Sequence, residues 1–397
     1  MKRTFFLCLS ISLAWMVLGG YVFYVTAPSE LLMTADSGYY ATVAEALRKH
    51  QGFSHHGRYW TVFPPLYPLI LSLSGPSLTP IQFAPILHAA LFGLLLFTVS
   101  IQQGYQNART LPINLIFPLL ALVSPVFGVA SYIWTEELYI VLTTLMFLLL
   151  WRHPSSVSWV WLLPLGLVTS LAPITRYIGI VNVVTATTFL FFIFTGRWWV
   201  KILKCAAFAL VTATPLATWC YRNYAIDGTL FGIRPPRSSP ISQNLAQSWL
   251  TFSSWFETVG EARVSILWLV IPTLLYATIR VRASIPWKKC VPLILFIGAY
   301  LAFLNVSAST HVHDPIDTRL LVPLYVPLVF LLGCVTQTTL NFGNRITQTA
   351  VLSALALITL SNALIFGKVY YDLPRHRQEL VCRYNSFPPP TANCPAR

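Results

Sequence analysis

The sequence predicts an all-α polytopic membrane protein with about eleven transmembrane helices. Of its 397 residues, 56% are hydrophobic and only 10% are charged, whereas a soluble domain carries about 25% charged residues. Apolar runs of about 20 residues, the length that crosses the hydrocarbon core, follow one another along most of the chain. These observations leave no soluble domain of useful size.

The apolar runs define a predicted transmembrane domain, residues 1–366, and a short outer tail, residues 367–397. Two of the predicted outer loops are long: the first covers 27–82 and the second covers 222–263. A cleaved signal peptide is the alternative for the first run, which is longer than a typical signal core. The predicted spans are 5–26, 83–103, 113–132, 137–151, 158–174, 177–195, 201–221, 264–280, 291–308, 320–340 and 346–366.

The distribution of charge predicts an inner N-terminus and an outer C-terminus. With these spans, the inner segments contain 12 Lys and Arg residues and no acid, so that all 12 Asp and Glu residues lie outside. The inner connections are shorter, so their density of cations is higher, as the positive-inside rule requires. The net charge of +14 does not predict nucleic-acid binding, because the basic residues are scattered along the chain.

The first outer loop carries an acid, Asp36, about ten residues beyond the first span. An amphipathic helix is predicted over 38–50, with Gly52 placed to end it. Asp36 has two interpretations, the N-cap of this helix or a functional acid near the bilayer surface. The predicted apolar face consists of Tyr40, Val43, Ala44 and Leu47.

Two further acids, Glu136 and Glu137, follow the third predicted span at its outer end. Considered without other context, the two acids are explained by a helix start, with Thr135 as N-cap and acids favoured in the first turn. The functional interpretation is a second acid that faces the same outer cavity as Asp36. Arg176 lies outside between two tightly linked spans, where it needs water, lipid headgroups or an anion. Snorkelling to headgroups is the simpler explanation for it.

The long outer loop starts at Arg222 and contains a predicted amphipathic helix that would lie on the membrane surface. Its apolar face consists of Leu245, Trp249, Phe252 and Phe256. Its polar face consists of Gln243, Gln247, Ser248, Thr251 and Ser254.

The last outer loop holds the residues that could bind a metal, His311, His313 and Asp314. The set is small and Pro315 distorts it, so we expect no metal site and no required cofactor, with a divalent metal as the open alternative. Cys382 and Cys394 both lie in the predicted outer tail, and a disulfide between them is expected because oxidising compartments favour such bonds.

Acids and arginines on the outer side of a membrane suit chemistry on a lipid-linked substrate. A nucleotide sugar stays in the cytosol, so an outward-facing enzyme needs a donor that arrives through the lipid, such as a polyprenyl-phosphate sugar. Sugar transfer needs a carboxylate that accepts the acceptor's proton and positive charge for the phosphate, which the forked donors of arginine supply. The candidates are Asp36, Glu136, Glu137, Arg176, Arg222 and Arg319.

Several short motifs, taken together and in this order, resemble GT-C membrane glycosyltransferases of the protein O-mannosyltransferase and aminoarabinose-transferase branch. The motifs are Asp36 to Tyr40, Phe63 to Pro68, Trp134 to Glu136, Thr175 to Gly179, Arg222 to Tyr224 with Gly228 and Thr229, and Asp317 to Arg319 with Pro323. The resemblance implies an inverting transfer from a polyprenyl-phosphate sugar with Asp36 as general base. Relatives commonly carry Asp where this chain has Glu136 and Glu137, which leaves the role of the second acid open.

The resemblance also implies a multi-pass protein of the bacterial plasma membrane with membrane lipids and a lipid-linked donor as partners. The sugar and the glycan, lipid or protein acceptor are not specified by the sequence. A transporter or lipid flippase is the main alternative, although neither internal repeats nor charges midway through spans are evident. A polymerase or ligase of lipid-linked glycans and an inactive family member are the others.

We predict that Asp36, Glu136, Arg222 and Arg319 lie on the same, outer face of the membrane, because the acids segregate there. Single cysteines placed in these loops, in a background free of other cysteines, should all react with a membrane-impermeant reagent in intact cells. A position that reacts only after the membrane is permeabilised would contradict a shared outer cavity.

Overall fold

A computed structural model of this protein describes residues 2–26, 31–104, 115–152, 158–233, 239–257, 265–311 and 315–384. Within these ranges the chain is almost entirely helical, with one antiparallel pair of two-residue strands, β1 (Ser54–His55) and β2 (Arg58–Tyr59). The first eight α-helices are α1 (Lys2–Thr26), α2 (Ala35–Arg48), α3 (Leu66–Leu71), α4 (Pro80–Gly104), α5 (Ile116–Leu122), α6 (Pro125–Ala130), α7 (Glu136–Trp151) and α8 (Trp159–Thr175). The others are α9 (Ile180–Ile193), α10 (Trp198–Asp227), α11 (Ile241–Ser254), α12 (Leu267–Val281), α13 (Trp287–Thr310), α14 (Thr318–Leu321), α15 (Tyr325–Phe342) and α16 (Arg345–Tyr384).

The predicted class, an all-α polytopic membrane protein, is confirmed. In the described part of the chain, six helical segments are long and apolar enough to cross a membrane, and α8 and the segment Tyr177–Ile193 are shorter apolar helices. Among the described residues, each of the eleven predicted spans overlaps one helix or consecutive helices, with bounds that differ by a few residues. The number of eleven crossings and the orientation stay predictions.

The third predicted span, 113–132, is divided into the two short helices α5 and α6. Ser124 caps α6 by accepting a hydrogen bond from the Val126 amide, and Pro125 occupies the first turn, where its missing N–H is not needed. Helices of 7 and 6 residues are each about 10 Å long, far short of the hydrocarbon core of about 30 Å. Their apolar residues, such as Phe117 and Phe127, are buried inside the protein.

Helix α1 delivers the first outer loop and packs closely along α4. A Cβ atom on Gly93 would lie 2.5 Å from the carbonyl oxygen of Met16, so a larger residue would force the two helices apart. The hydroxyl groups of Ser12 and Ser100 form a hydrogen bond of 3.0 Å between these helices. Close backbone approach therefore fixes the position of α1 along α4.

The predicted helix of the first outer loop is α2, and it starts three residues earlier than expected. Its N-cap is Thr34, whose side chain accepts a hydrogen bond from the Ser37 amide in a capping box. The interpretation of Asp36 as the N-cap is therefore wrong. Tyr40, Val43 and Ala44 are buried as predicted.

The predicted helix of the second outer loop is α11, and part of its predicted polar face packs on the protein while Gln243, Gln247 and Ser254 are exposed. Ser248 and Thr251 are buried, and Thr251 Oγ1 donates to the carbonyl of Ile316 at 2.8 Å. This hydrogen bond replaces the solvent contact of the hydroxyl group, so a polar side chain can pack on the protein. Leu245 and Trp249 are about half exposed on the outside of the helix.

Helix α16 continues to Tyr384, beyond residue 366, where the sequence predicts the end of the last span. The side chain of Cys382 and the whole of Cys394 lie outside the described residues, so their disulfide stays a prediction. His313 and Asp314 also lie outside them.

Candidate active site

Two short segments that precede α2 and α7 are joined by backbone hydrogen bonds. The amide of Leu32 donates to Ser131 O at 2.9 Å, and the amide of Ile133 donates to Leu32 O at 3.1 Å. Just beyond this bridge, Trp134 Nε1 donates to Thr34 Oγ1 at 2.8 Å. Because α2 and α7 both begin next to these bonds, the first turns of the two helices face the same region.

Arg319, from the short helix α14, reaches this region and contacts an acid from each of the two helices. Its Nη2 atom donates to Asp36 Oδ2 at 2.6 Å, and its Nε atom donates to Glu136 Oε1 at 2.5 Å. The guanidinium also lies over the ring of Trp134, 4.4 Å from the ring centroid. The structure thus brings together three of the predicted site residues, which are up to 283 positions apart in sequence.

Arg176, at the end of α8, completes this cluster. Its Nη1 atom contacts Glu136 Oε1 and donates to Thr135 Oγ1 at 3.1 Å. The Thr135 hydroxyl in turn lies 3.3 Å from Glu136 Oε2 and donates to it. Thr135 precedes α7 as predicted, but its side chain makes no capping hydrogen bond. We call Asp36, Glu136, Arg176 and Arg319 the Arg319 cluster.

The two acids of the Arg319 cluster differ in accessibility. The Glu136 side chain is fully buried and contacts both guanidinium groups, which offset the cost of removing its charge from water. The Asp36 side chain is 23% exposed, and among the described residues its ion pair is with Arg319. Asp36 is therefore the acid that a molecule entering the site can reach.

Tyr40 lies beside the Arg319 cluster and is buried. Burial, followed by the negative charges of Glu136 and Asp36, raises the pKa of its phenol above the ordinary value. The phenol therefore stays protonated and neutral at physiological pH. Its ring packs against Phe63 and Tyr67, with centroids 5.2 and 5.3 Å away, so the motif from Phe63 to Pro68 supports the helix that carries Asp36.

Glu137, the second of the two predicted adjacent acids, does not join the Arg319 cluster. Its carboxylate is buried on another side of α7, where Oε2 lies 2.7 Å from His88 Nδ1. Consecutive residues on a helix point in different directions, which explains why Glu136 and Glu137 have different partners. A direct role for Glu137 with sugar or acceptor stays a prediction.

Arg222 lies in a separate cluster that holds part of the first outer loop. Its Nη1 donates to Trp60 O at 2.9 Å and its Nη2 to Phe53 O at 3.4 Å, while the guanidinium lies 4.4 Å from the centroid of Trp219. The guanidinium is thus already bonded to the loop backbone. Its predicted contact with a donor phosphate stays a prediction.

The residues after Arg222 fasten the same loop. Asn223 Nδ2 donates to Thr61 O at 3.0 Å, and Thr61 Oγ1 donates to Asp227 Oδ2 at 2.5 Å. Gly232 has a φ of +76°, and a Cβ there would lie 2.7 Å from Val62 Cα. The motif that starts at Arg222 therefore places residues 53–62 beside the C-terminal end of α10.

The possible metal ligands of the last outer loop are only partly described. His311 lies at the end of α13, and its Nδ1 is 2.8 Å from Thr310 Oγ1. Among the described residues no group of three or more His, Cys, Asp or Glu side chains could hold a metal ion.

Sequence reasoning missed His88, although an ionisable residue within an apolar run was a visible signal. It also missed Thr34, because a capping residue has no distinctive pattern without the helix start. Trp134 was noted as part of a motif, but its place beneath Arg319 depends on the fold.

We predict that Arg222→Lys loosens the first outer loop, because lysine cannot bond two carbonyl groups through a planar fork. A hydrogen bond from a charged group contributes about 1.5–3 kcal/mol, so the thermal midpoint in detergent should fall and residues 53–62 should be digested faster. Arg197→Lys, at the exposed start of α10, is the control. An unchanged midpoint and digestion pattern would show that Arg222 does not hold the loop.

Two solved structures of ArnT from Cupriavidus metallidurans share the fold of this chain. The structure bound to undecaprenyl phosphate has a TM-score of 0.59 and 13% identity, over 94% of this chain and 80% of that chain. The apo structure has a TM-score of 0.58 and 14% identity, over 90% and 75% of the two chains. No protein-family model and no curated protein gives a significant match. The predicted resemblance to the aminoarabinose-transferase branch is confirmed at the level of the fold.

Proposed function

We propose that this protein is a membrane glycosyltransferase that moves a sugar from a polyprenyl-phosphate-linked donor to an acceptor on the outer face of the membrane. The observation that carries this proposal is the contact of Arg319 with both Asp36 and Glu136, where outer loops meet helix ends. The structure of ArnT with undecaprenyl phosphate, which has the same fold, supports a polyprenyl phosphate as the lipid carrier.

The proposal assigns the donor phosphate to Arg319. The Arg319 cluster contains two carboxylates and two guanidinium groups, so its charges balance before a donor enters. A donor phosphodiester brings a negative charge and competes with Asp36 for Nη2 of Arg319, a forked donor that suits phosphate. Glu136 retains its bond to Nε, so the guanidinium keeps its place while one partner is exchanged.

Exchange of this partner would release the Asp36 carboxylate at the moment when the donor is bound. The nucleophilic atom of the acceptor then attacks the anomeric carbon from the side opposite to the phosphate, and its proton passes to Asp36. The bond between the anomeric carbon and the phosphate oxygen breaks, and the configuration inverts. Arg319 and Arg176 stabilise the added negative charge on the departing polyprenyl phosphate. In this proposal the chain's own residues supply both functions, so we propose no required cofactor.

Asp36 is proposed as the base because it is accessible and its partner is exchangeable. Glu136 is buried between two guanidinium groups, which favour its charged form and lower its basicity. The Glu136 carboxylate is therefore better suited to holding the two arginines in place than to accepting a proton from the acceptor. Glu136 is thus proposed to hold Arg319 and Arg176 in position.

We predict that Asp36→Asn lowers transfer by about 10²–10⁴-fold, the usual contribution of a general base. Thr34 caps α2, so the variant should fold and insert normally. Glu45→Gln is the matched control, because Glu45 is an acid on the same helix that pairs only with Arg48 and Lys49 among the ion pairs described.

The assay uses membranes with equal amounts of each protein, permeabilised with detergent and supplied with lipids from cells that lack the gene. Mass spectrometry measures the conversion of polyprenyl-phosphate sugar to polyprenyl phosphate. Conversion by the wild type and by Glu45→Gln, but not by Asp36→Asn, is the expected result. Equal conversion by Asp36→Asn would remove Asp36 as the base. No conversion by the wild type would instead favour a transporter or flippase, since movement across a permeabilised membrane leaves the lipid unchanged.

A further inference from the structure

A chain of three buried polar side chains lies behind the Arg319 cluster. Tyr67, from α3, places its hydroxyl 2.7 Å from Nε2 of His88, which lies in α4. The other ring nitrogen of His88, Nδ1, is 2.7 Å from Glu137 Oε2 and 2.8 Å from Ala130 O. The side chains of Tyr67 and His88 are fully buried, and that of Glu137 is 1% exposed. We call Tyr67, His88 and Glu137 the His88 chain.

Burial requires partners for the polar atoms of the His88 ring. A buried polar group without a partner is costly, and both ring nitrogens have neighbours: the Tyr67 hydroxyl at Nε2, and Glu137 Oε2 with Ala130 O at Nδ1. The ring is therefore held between α3 on one side and the start of α7 on the other.

The two ends of the His88 chain lead to the two acids that contact Arg319. The ring of Tyr67 packs edge-on against Tyr40, with centroids 5.3 Å apart, and Tyr40 lies one helical turn after Asp36. At the other end, Glu137 follows Glu136 directly in the first turn of α7. His88 thus connects the helix that carries Asp36 to the helix that carries Glu136, by a path that does not pass through Arg319.

We propose that His88 is a positioning residue that sets the separation of Asp36 and Glu136 around Arg319. This inference rests on the proposed function of the Arg319 cluster. The backbone bridge at Leu32 and the bond from Trp134 to Thr34 join the segments just before α2 and α7, and Arg319 joins the first turns of the two helices. The joint through Arg319 loosens when Nη2 exchanges Asp36 for a phosphate. The His88 chain keeps the two helices in register during that exchange. A misplacement of about 1 Å at a reacting group can cost on the order of 10²-fold in rate.

Three variants divide the His88 chain at different bonds. Tyr67→Phe removes the hydroxyl and keeps the ring contact with Tyr40. His88→Asn retains a polar group near the Nδ1 position and loses the contact with Tyr67. His88→Gln retains a group near the Nε2 position and loses the contact with Ala130 and Glu137. Tyr59→Phe is the control, because Tyr59 belongs to the same outer loop and is 69% exposed.

We expect Tyr67→Phe and both His88 variants to lower kcat by about 10–100-fold. The KM for the lipid-linked donor should stay close to that of the wild type, because Arg319 keeps its partners. A general loss of folding would instead reduce the amount of active protein and the thermal midpoint. Tyr59→Phe should match the wild type in all three measurements.

A second measurement follows Asp36 itself and does not need transfer activity. Coupling of Asp36 to a small amine by a water-soluble carbodiimide is followed by mass spectrometry in the full-length protein. We expect faster coupling in Tyr67→Phe and His88→Asn, because α2 is held less firmly against Arg319. If the wild type transfers no sugar, the proposed function fails, and this rate still tests the positioning role.

Unchanged kcat together with unchanged Asp36 coupling in Tyr67→Phe would overturn the inference. If the His88 variants do not accumulate in membranes, Tyr67→Phe decides alone, since it removes one oxygen atom and keeps the packing. A higher KM with unchanged kcat would also overturn it, because that pattern indicates a role in donor binding.

Discussion

The guanidinium of Arg319 is the group on which the arrangement of the site depends. It joins the start of α2 to the start of α7 through Asp36 and Glu136, and Trp134 lies beneath it. A guanidinium and two carboxylates are costly to remove from water one at a time, but together they compensate one another. The three helices are α2, which carries Asp36, α7, which carries Glu136, and α14, which carries Arg319. The charge in the first turn of each helix is therefore balanced by charges on the others. Arg176 supplies the second positive charge and completes the balance.

Two further clusters surround this centre and hold the outer loop from different sides. The Arg222 cluster fixes the loop at residues 53–62 by hydrogen bonds to its backbone. The His88 chain lies deeper and acts through the rings of Tyr67 and Tyr40. Both use charged or ionisable side chains within or next to apolar helices, where such residues are retained only if they have partners. Within the Arg319 cluster, the ion pair of Asp36 and Arg319 is more exposed than the two pairs of Glu136, and the proposed transfer uses this pair.

The sequence predicted the helical class and the four residues of the Arg319 cluster. Charged residues at the ends of apolar runs avoid the hydrocarbon core, so they lie near the membrane surface, where they can meet. It could not predict that Glu137 turns toward His88, since two adjacent acids look alike until the packing of α7 is known. The division of the third predicted span at Ser124 and Pro125 was visible only as a proline in an apolar run. The burial of Ser248 and Thr251 depends on a carbonyl group from a distant segment, that of Ile316, which no local pattern reveals.

The most direct test of the central claim measures the binding of polyprenyl phosphate to purified wild-type protein, to Arg319→Lys and to the control Arg345→Lys, whose site is exposed at the start of α16. Lysine keeps the charge and loses the fork. Loss of one charge-assisted hydrogen bond, about 1.5–3 kcal/mol, corresponds to a Kd at least about tenfold higher. We predict this increase for Arg319→Lys and none for the control. An equal Kd for all three proteins would contradict the assignment of the lipid phosphate to Arg319.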